Sequence, residues 1–207
     1  MRLPYIPSQP TFENASDQAF LKRLLKARGA NGLSYLDRAL LYSPPQARGF
    51  LQFFTAVRGK STLPADAMEL GMCRVAALNG AAYEWMHHGP LLKAAGLSDE
   101  AVETVRSAPA GTQGSEGQGG LSLRLWKMLR YTDAMTKQVH VPDEIFEGVK
   151  SVLNDRQVTE LTLVIAGYNA VSRFLVAMDV AELKDVEVGQ AKHIDADAGK
   201  VVEKSKL

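Results

Sequence analysis

Between Leu63 and Gly96 two helical patterns meet at a sharp corner, and this stretch constrains the fold more than any other part of the chain. Met68, Met72, Val75 and Ala76 recur at the three- and four-residue spacing of an amphipathic helix that opens after Leu63-Pro64 and runs to Leu78. Asn79-Gly80 then breaks the pattern. Residues 81–95 resume a helical composition, Pro90 is expected to kink them, and Gly96 is a natural C-terminal stop. Two consecutive helices joined at Asn79-Gly80 follow.

The rest of the sequence repeats this theme. Phe20, Leu21, Leu24 and Leu25 mark a helix over 16–26 that ends at Gly29 and Gly32. Ser43-Pro44-Pro45 starts another, with the stripe Phe50, Phe53, Phe54 and Val57 stopping at Gly59. Ser98-Asp99-Glu100 caps a short helix to about Ser107. Further helices are predicted over 121–135, 143–153 and 155–178, the last strongly apolar. No segment shows convincing strand alternation, so the fold class is all-α. The prolines at 4, 7 and 10 make the first ten residues an extended arm rather than core. The stretch 107–120, SAPAGTQGSEGQGG, has five glycines and no aliphatic side chain larger than alanine, and reads as a flexible connector. From Ala181 the chain turns polar and lysine-rich, which reads as a loosely held tail. The pairs Glu69-Leu70 and Glu160-Leu161, followed by Asn79 and Asn169, form a weak internal echo.

Several functions are excluded at this point. The formal charge of +1 gives no global electrostatic case for nucleic acid or an anionic membrane surface. Arg74, Asn79, Glu84 and Arg173 interrupt the longest apolar runs, so no membrane span is expected. The N-terminal ten residues lack the apolar run of a secretory signal, and a reducing, cytoplasmic location is the expectation. A single cysteine, Cys73, excludes an intramolecular disulfide and a Cys-x-x-Cys redox pair. In an apolar stretch it reads as buried and inert.

The residues that could carry chemistry gather around the corner. Glu84 and His88 lie four apart and share a helix face, while Tyr83 and His87 share a neighbouring one. A carboxylate beside an imidazole can transfer protons near neutral pH. The same spacing also describes an ordinary surface pair worth ~0.2–0.5 kcal/mol. Metal binding by Glu84, His87 and His88 is disfavoured, because adjacent residues on a helix point ~100° apart.

The stretch LPADAMELGMCRVAALNGAAYEWMHHGPLLKAAGLSDEAV resembles the carboxymuconolactone decarboxylase family, within the helical superfamily that includes the alkylhydroperoxidase AhpD. Glu69, the corner Asn79-Gly80 and His88 match the motif of its peroxidase branch, but Ala81 and Glu84 stand where that branch has its two cysteines. Without those thiols, disulfide-linked peroxidase activity is not expected. Tyr83-Glu84-Trp85 before the histidines resembles the decarboxylase branch instead. The resemblance is looser over 121–178 and absent before about residue 35 and after 180.

It implies an AhpD-like fold over 35–180, with an arm and helix in 1–34 and a tail in 181–207. It also implies a homo-oligomer, a trimer or a multiple of one. The expected activity is that of a cofactor-independent lyase acting on a small carboxylated lactone, enol or β-keto-type acid. His88 moves the proton, Glu84 is its partner and Glu69 orients the pair. Tyr83, Trp85, His87 and Asn79 shape the substrate pocket. A non-catalytic helical binding module is the rival, as is an isomerase or cyclase using the same pair.

Overall fold

The structure, a computed structural model, describes residues 1–191 and the short pairs 194–195 and 200–201. Among them nine α-helices form: α1 (Ala15–Arg28), α2 (Tyr35–Leu40), α3 (Pro44–Gly59), α4 (Ala65–Leu78), α5 (Ala82–Ala94), α6 (Asp99–Ser107), α7 (Leu123–Lys137), α8 (Asp143–Lys150) and α9 (Asp155–Met178). Ile194–Asp195 and Lys200–Val201 pair as a two-residue antiparallel ladder, which leaves the all-α class unchanged.

Local chemistry accounts for the helix ends. The side chains of Asn14, Ser34, Ser98, Ser122 and Asn154 cap α1, α2, α6, α7 and α9. Asp37 and Gln157 complete reciprocal capping boxes at two of them. Helix α4 stops at Asn79, and Gly80 takes a φ of +66°, a backbone state that glycine adopts without strain. Helix α5 continues through Pro90 to Ala94.

Burial divides the helices into two clusters. Helices α4 to α9, joined by Tyr35 and Ala39 of α2, contribute the large core, with Leu70, Met72, Leu92, Leu129, Leu161 and Ile165 fully enclosed. Helices α1 to α3 build a smaller core of their own around Phe20, Leu21, Leu24, Leu33, Leu41 and Ala47. Helix α3 also packs on α9. Across that contact the Phe54 ring meets Tyr168 edge-on at 5.4 Å between centroids. A Cβ on Gly167 would lie 2.6 Å from Phe53 Cε1, so only glycine permits this approach.

Three expectations need correction. The first concerns α9, which by length and composition is apolar enough to cross a membrane, despite Arg173. Here it is a core helix, burying Val158, Leu161, Val164, Ile165, Tyr168, Val171 and Leu175. The second concerns 107–120, which is anchored along its length. Arg74 Nη2 donates to the Ala108 carbonyl at 2.8 Å and the Gly111 amide donates to Asp133 Oδ2 at 2.8 Å. Trp126 Nε1 donates to the Gln118 carbonyl at 2.9 Å. A Cβ on Gly114 would fall 2.0 Å from the Trp126 ring, so glycine here serves close approach rather than chain freedom. The third concerns the start of the tail, where Val180, Ala181, Leu183 and Val188 are buried. Residues beyond 191, apart from the ladder, lie outside the described residues.

The N-terminal arm lies on the surface, tied by the Arg2 amide to the Met178 carbonyl and by the Tyr5 hydroxyl to the Ala181 amide. The two asparagines of the internal echo meet: Asn79 Nδ2 donates to Asn169 Oδ1 at 3.1 Å and to Ser172 Oγ at 2.7 Å. That bond fastens the α4–α5 corner to α9.

Candidate active site

Helix α4 presents Glu69 and Cys73 four residues apart, helix α5 presents Glu84 and His88 at the same spacing, and α9 adds Tyr168. Like-spaced pairs on two packed helices bring their side chains onto facing stripes. All five are buried.

His88 is held at both ring nitrogens. Its Nδ1 lies 2.8 Å from Glu69 Oε2, and its Nε2 lies 3.1 Å from the Tyr168 hydroxyl. A carboxylate only accepts, so the neutral ring carries its proton on Nδ1 and offers the Nε2 lone pair to the Tyr168 O–H. Burial pushes the Tyr168 hydroxyl up, more than the nearby Arg58 lowers it, and it stays protonated at neutral pH. The Tyr168 ring also meets His88 edge-on, with centroids 5.0 Å apart. The result is a chain of three polar groups, Glu69, His88 and Tyr168, inside an apolar enclosure.

Glu84 is not the partner of His88. Both of its carboxyl oxygens are buried without a hydrogen bond, and burial pushes the pKa of its carboxyl group well above the usual carboxylate range. The four-residue spacing puts Glu84 and His88 on one face, but His88 turns across the helix interface to Glu69. Glu69 therefore makes the direct contact that the spacing argument gave to Glu84. Cys73 is fully buried; its thiol is pushed up by burial, then by Glu69 and Glu84, so it stays protonated and unreactive at neutral pH.

The expected pocket residues separate. The Tyr83 ring packs on the His87 ring at 4.6 Å, on a face turned toward α2. Burial pushes the Tyr83 hydroxyl up to about 12, against hydrogen bonds with the Leu36 backbone and the Ser34 side chain. His87 is exposed while His88 is buried, so the two do not converge. Trp85 lies along Gly89, where a Cβ would sit 3.0 Å from Trp85 Nε1, and its indole faces Gly189. Asn79 ties the corner to α9 and contributes no contact to His88. Among the described residues no group of three or more His, Cys, Asp and Glu is arranged to hold a metal ion.

Tyr168 was missed by the sequence reading. Its only signal was a hydroxyl-bearing residue on the apolar stripe of 155–178, which needs a polar partner wherever it is buried.

Residues 44–118 match the carboxymuconolactone decarboxylase family, a span that covers Glu69, Glu84 and His88 and stops short of Tyr168. The fold is shared with solved helical proteins along nearly their whole length. An uncharacterized peroxidase-related protein with an alkylhydroperoxidase AhpD core, from Ralstonia eutropha JMP134, has a TM-score of 0.65 at 16% identity, covering 86% of this chain and 93% of that one. A peroxidase-related protein from Silicibacter sp. TM1040 gives 0.65 at 17% identity, covering 87% and 92%. A putative AhpD antioxidant defence protein from Agrobacterium tumefaciens gives 0.54 at 16%, covering 67% and 91%. The chain shares the helical fold of these proteins. No curated protein matches it.

In this chain Ala81 and Glu84 stand at the two positions where the resemblance to the peroxidase branch would place thiols. Its only cysteine, Cys73, is one helix away and fully buried.

Proposed function

We propose that the protein is a cofactor-independent acid–base catalyst of the decarboxylase type, acting on a small carboxylated lactone, enol or β-keto-type acid. One observation carries this reading: a buried imidazole held at Nδ1 by a carboxylate and at Nε2 by a phenol. Glu69 fixes the tautomer and ring orientation, so Nε2 is the basic atom, and Tyr168 is the proton-bearing group it faces. Loss of CO2 leaves an electron pair that spreads onto an adjacent carbonyl oxygen, and the resulting enolate must then be protonated. A water-poor site with fixed hydrogen-bond donors favours both stages. The name of the matched family supports the decarboxylase direction, and the absence of a thiol pair argues against the peroxidase chemistry suggested by the names of the solved relatives. Assembly as a homo-oligomer, a trimer or a multiple of one, and a cytoplasmic location belong to the same proposal.

The test is CO2 release from a panel of γ-lactone carboxylates and β-keto acids by the wild type and by His88→Ala. Turnover by the wild type, with a loss of ~10²–10⁴-fold in the variant, is the expected result. Equal rates for the two proteins, or no release from any member of the panel, would overturn it.

A further inference from the structure

Glu84 is the buried group whose role the Glu69–His88–Tyr168 chain does not explain. Its residue is 3% exposed and neither carboxyl oxygen has a hydrogen-bond partner. Leaving a buried polar group unpaired is costly, so a site that keeps one has a use for it. Its electrostatic neighbours are Cys73 on α4 and Tyr168 on α9, both of which also feel Glu69, and Arg58 at the end of α3 acts on Tyr168. Glu69 is committed to His88 and Arg58 is exposed, so no cation is in contact to favour an ionised Glu84. A second negative charge beside Glu69 in this enclosure would be strongly disfavoured.

Proton supply distinguishes Glu84 from its neighbours. On the neutral imidazole the Nδ1 proton is held by Glu69, and Nε2 is occupied as the acceptor of Tyr168. Glu84 is the carboxyl group here whose oxygens have no hydrogen-bond partner, so its proton is not held by a neighbour. We propose that Glu84 is the general acid of this site, delivering its proton to the carbon from which CO2 has departed. This rests on the decarboxylase reading and names the substrate class it requires: a carboxylate β to a carbonyl or lactone carbonyl, whose enolate can wait for that proton.

The step balances. The bond between the substrate carbon and its carboxylate breaks, CO2 leaves, and the electron pair moves onto the carbonyl oxygen as an enolate. The enolate pair then forms a C–H bond with the Glu84 proton, the O–H pair stays on Glu84 as a carboxylate, and a solvent proton restores the acid. In sum, one carboxylate and one proton give CO2 and the protonated product.

Two measurements test this. An infrared difference spectrum of the wild type against Glu84→Gln at pH 7 is expected to show the C=O band of a neutral carboxylic acid present only in the wild type. A carboxylate signal in its place would overturn the proposal whether or not the decarboxylase reading holds. In the CO2-release assay Glu84→Gln, which matches the neutral acid in shape and charge but has no acidic proton, should lose ~10²–10⁴-fold in kcat, with Glu84→Asp retaining more. If Glu84→Gln keeps wild-type kcat while His88→Ala does not, Glu84 is not the acid and the His88 reading stands. If both variants keep it, neither Glu84 nor His88 carries the reaction and the proposed site falls; if the wild type releases no CO2 from any substrate, the decarboxylase reading falls.

Discussion

Asp133 to alanine is the substitution whose cost can be worked most directly from the structure. Arg74, on the same helix as Glu69, has its side chain 1% exposed and donates to Asp133 Oδ1 at 2.6 Å and Oδ2 at 3.2 Å. Two further N–H groups donate to the carbonyls of Val105 and Ala108 at 3.0 and 2.8 Å. Removing the carboxylate leaves a buried guanidinium with neutral partners only, a change that costs about 3–5 kcal/mol in comparable cases. The two retained carbonyls place the loss toward the lower half of that range, and the orphaned Gly111 amide adds ~1 kcal/mol. At roughly 2–4 °C per kcal/mol for a chain of this size, Tm should fall by about 10–15 °C. Urea unfolding should give the same loss with an unchanged m-value, and the Gly111 amide should lose hydrogen-exchange protection. Arg74→Met combined with Asp133→Leu should recover part of the loss, because the charge goes with its partner. A Tm within about 2 °C of wild type for Asp133→Ala would refute the view that this ion pair clamps α4, α6, α7 and the 107–120 segment together.

Three further outcomes are expected. Cys73→Ala should leave turnover within about twofold while lowering stability by ~1 kcal/mol; a large loss of activity with the fold intact would show that the thiol reacts. Gly114→Ala should destabilise by ~1–3 kcal/mol by forcing the Trp126 ring aside, read by thermal unfolding and by the Trp emission maximum. Glu160 is pushed up by burial, but hydrogen bonds from Thr62, Arg156 and Ser61 outweigh this and lower it to about 2. Its folded value lies below the unfolded one, so its contribution is full above pH ~4.5 and is lost as pH falls toward 2. Glu160→Gln should therefore differ from wild type in urea midpoint at pH 6 and converge with it near pH 2.

Helix existence was legible in the sequence because the apolar spacing of α1, α3, α4 and α9 is imposed by the same burial that stabilises them. The cap residues Ser98 and Asn79-Gly80 marked ends correctly for local reasons that need no tertiary information. That Glu69, Glu84 and His88 gather around the α4–α5 corner was legible, but their pairing was not. Which carboxylate reaches His88 depends on how α4 lies against α5, and periodicity within one helix carries no information about that. Tyr168 lies 80 residues from His88 in sequence and so escaped any local argument. The 107–120 segment misled for a different reason: composition reports glycine, but not the indole that the glycines make room for.

The α1 to α3 helices cover the far side of the site. Phe53 and Phe54 rest on Gly167 and Tyr168, so these helices sit over the α9 wall while holding one another through Phe20, Leu21 and Leu24. Tyr35 and Ala39 also join them to the large core. The Tyr168 ring that meets His88 is therefore braced from behind by a helix that contributes no polar group to the pair, and Gly167→Ala, which forces Phe53 aside, would loosen that brace while leaving Phe20, Leu21 and Leu24 in contact.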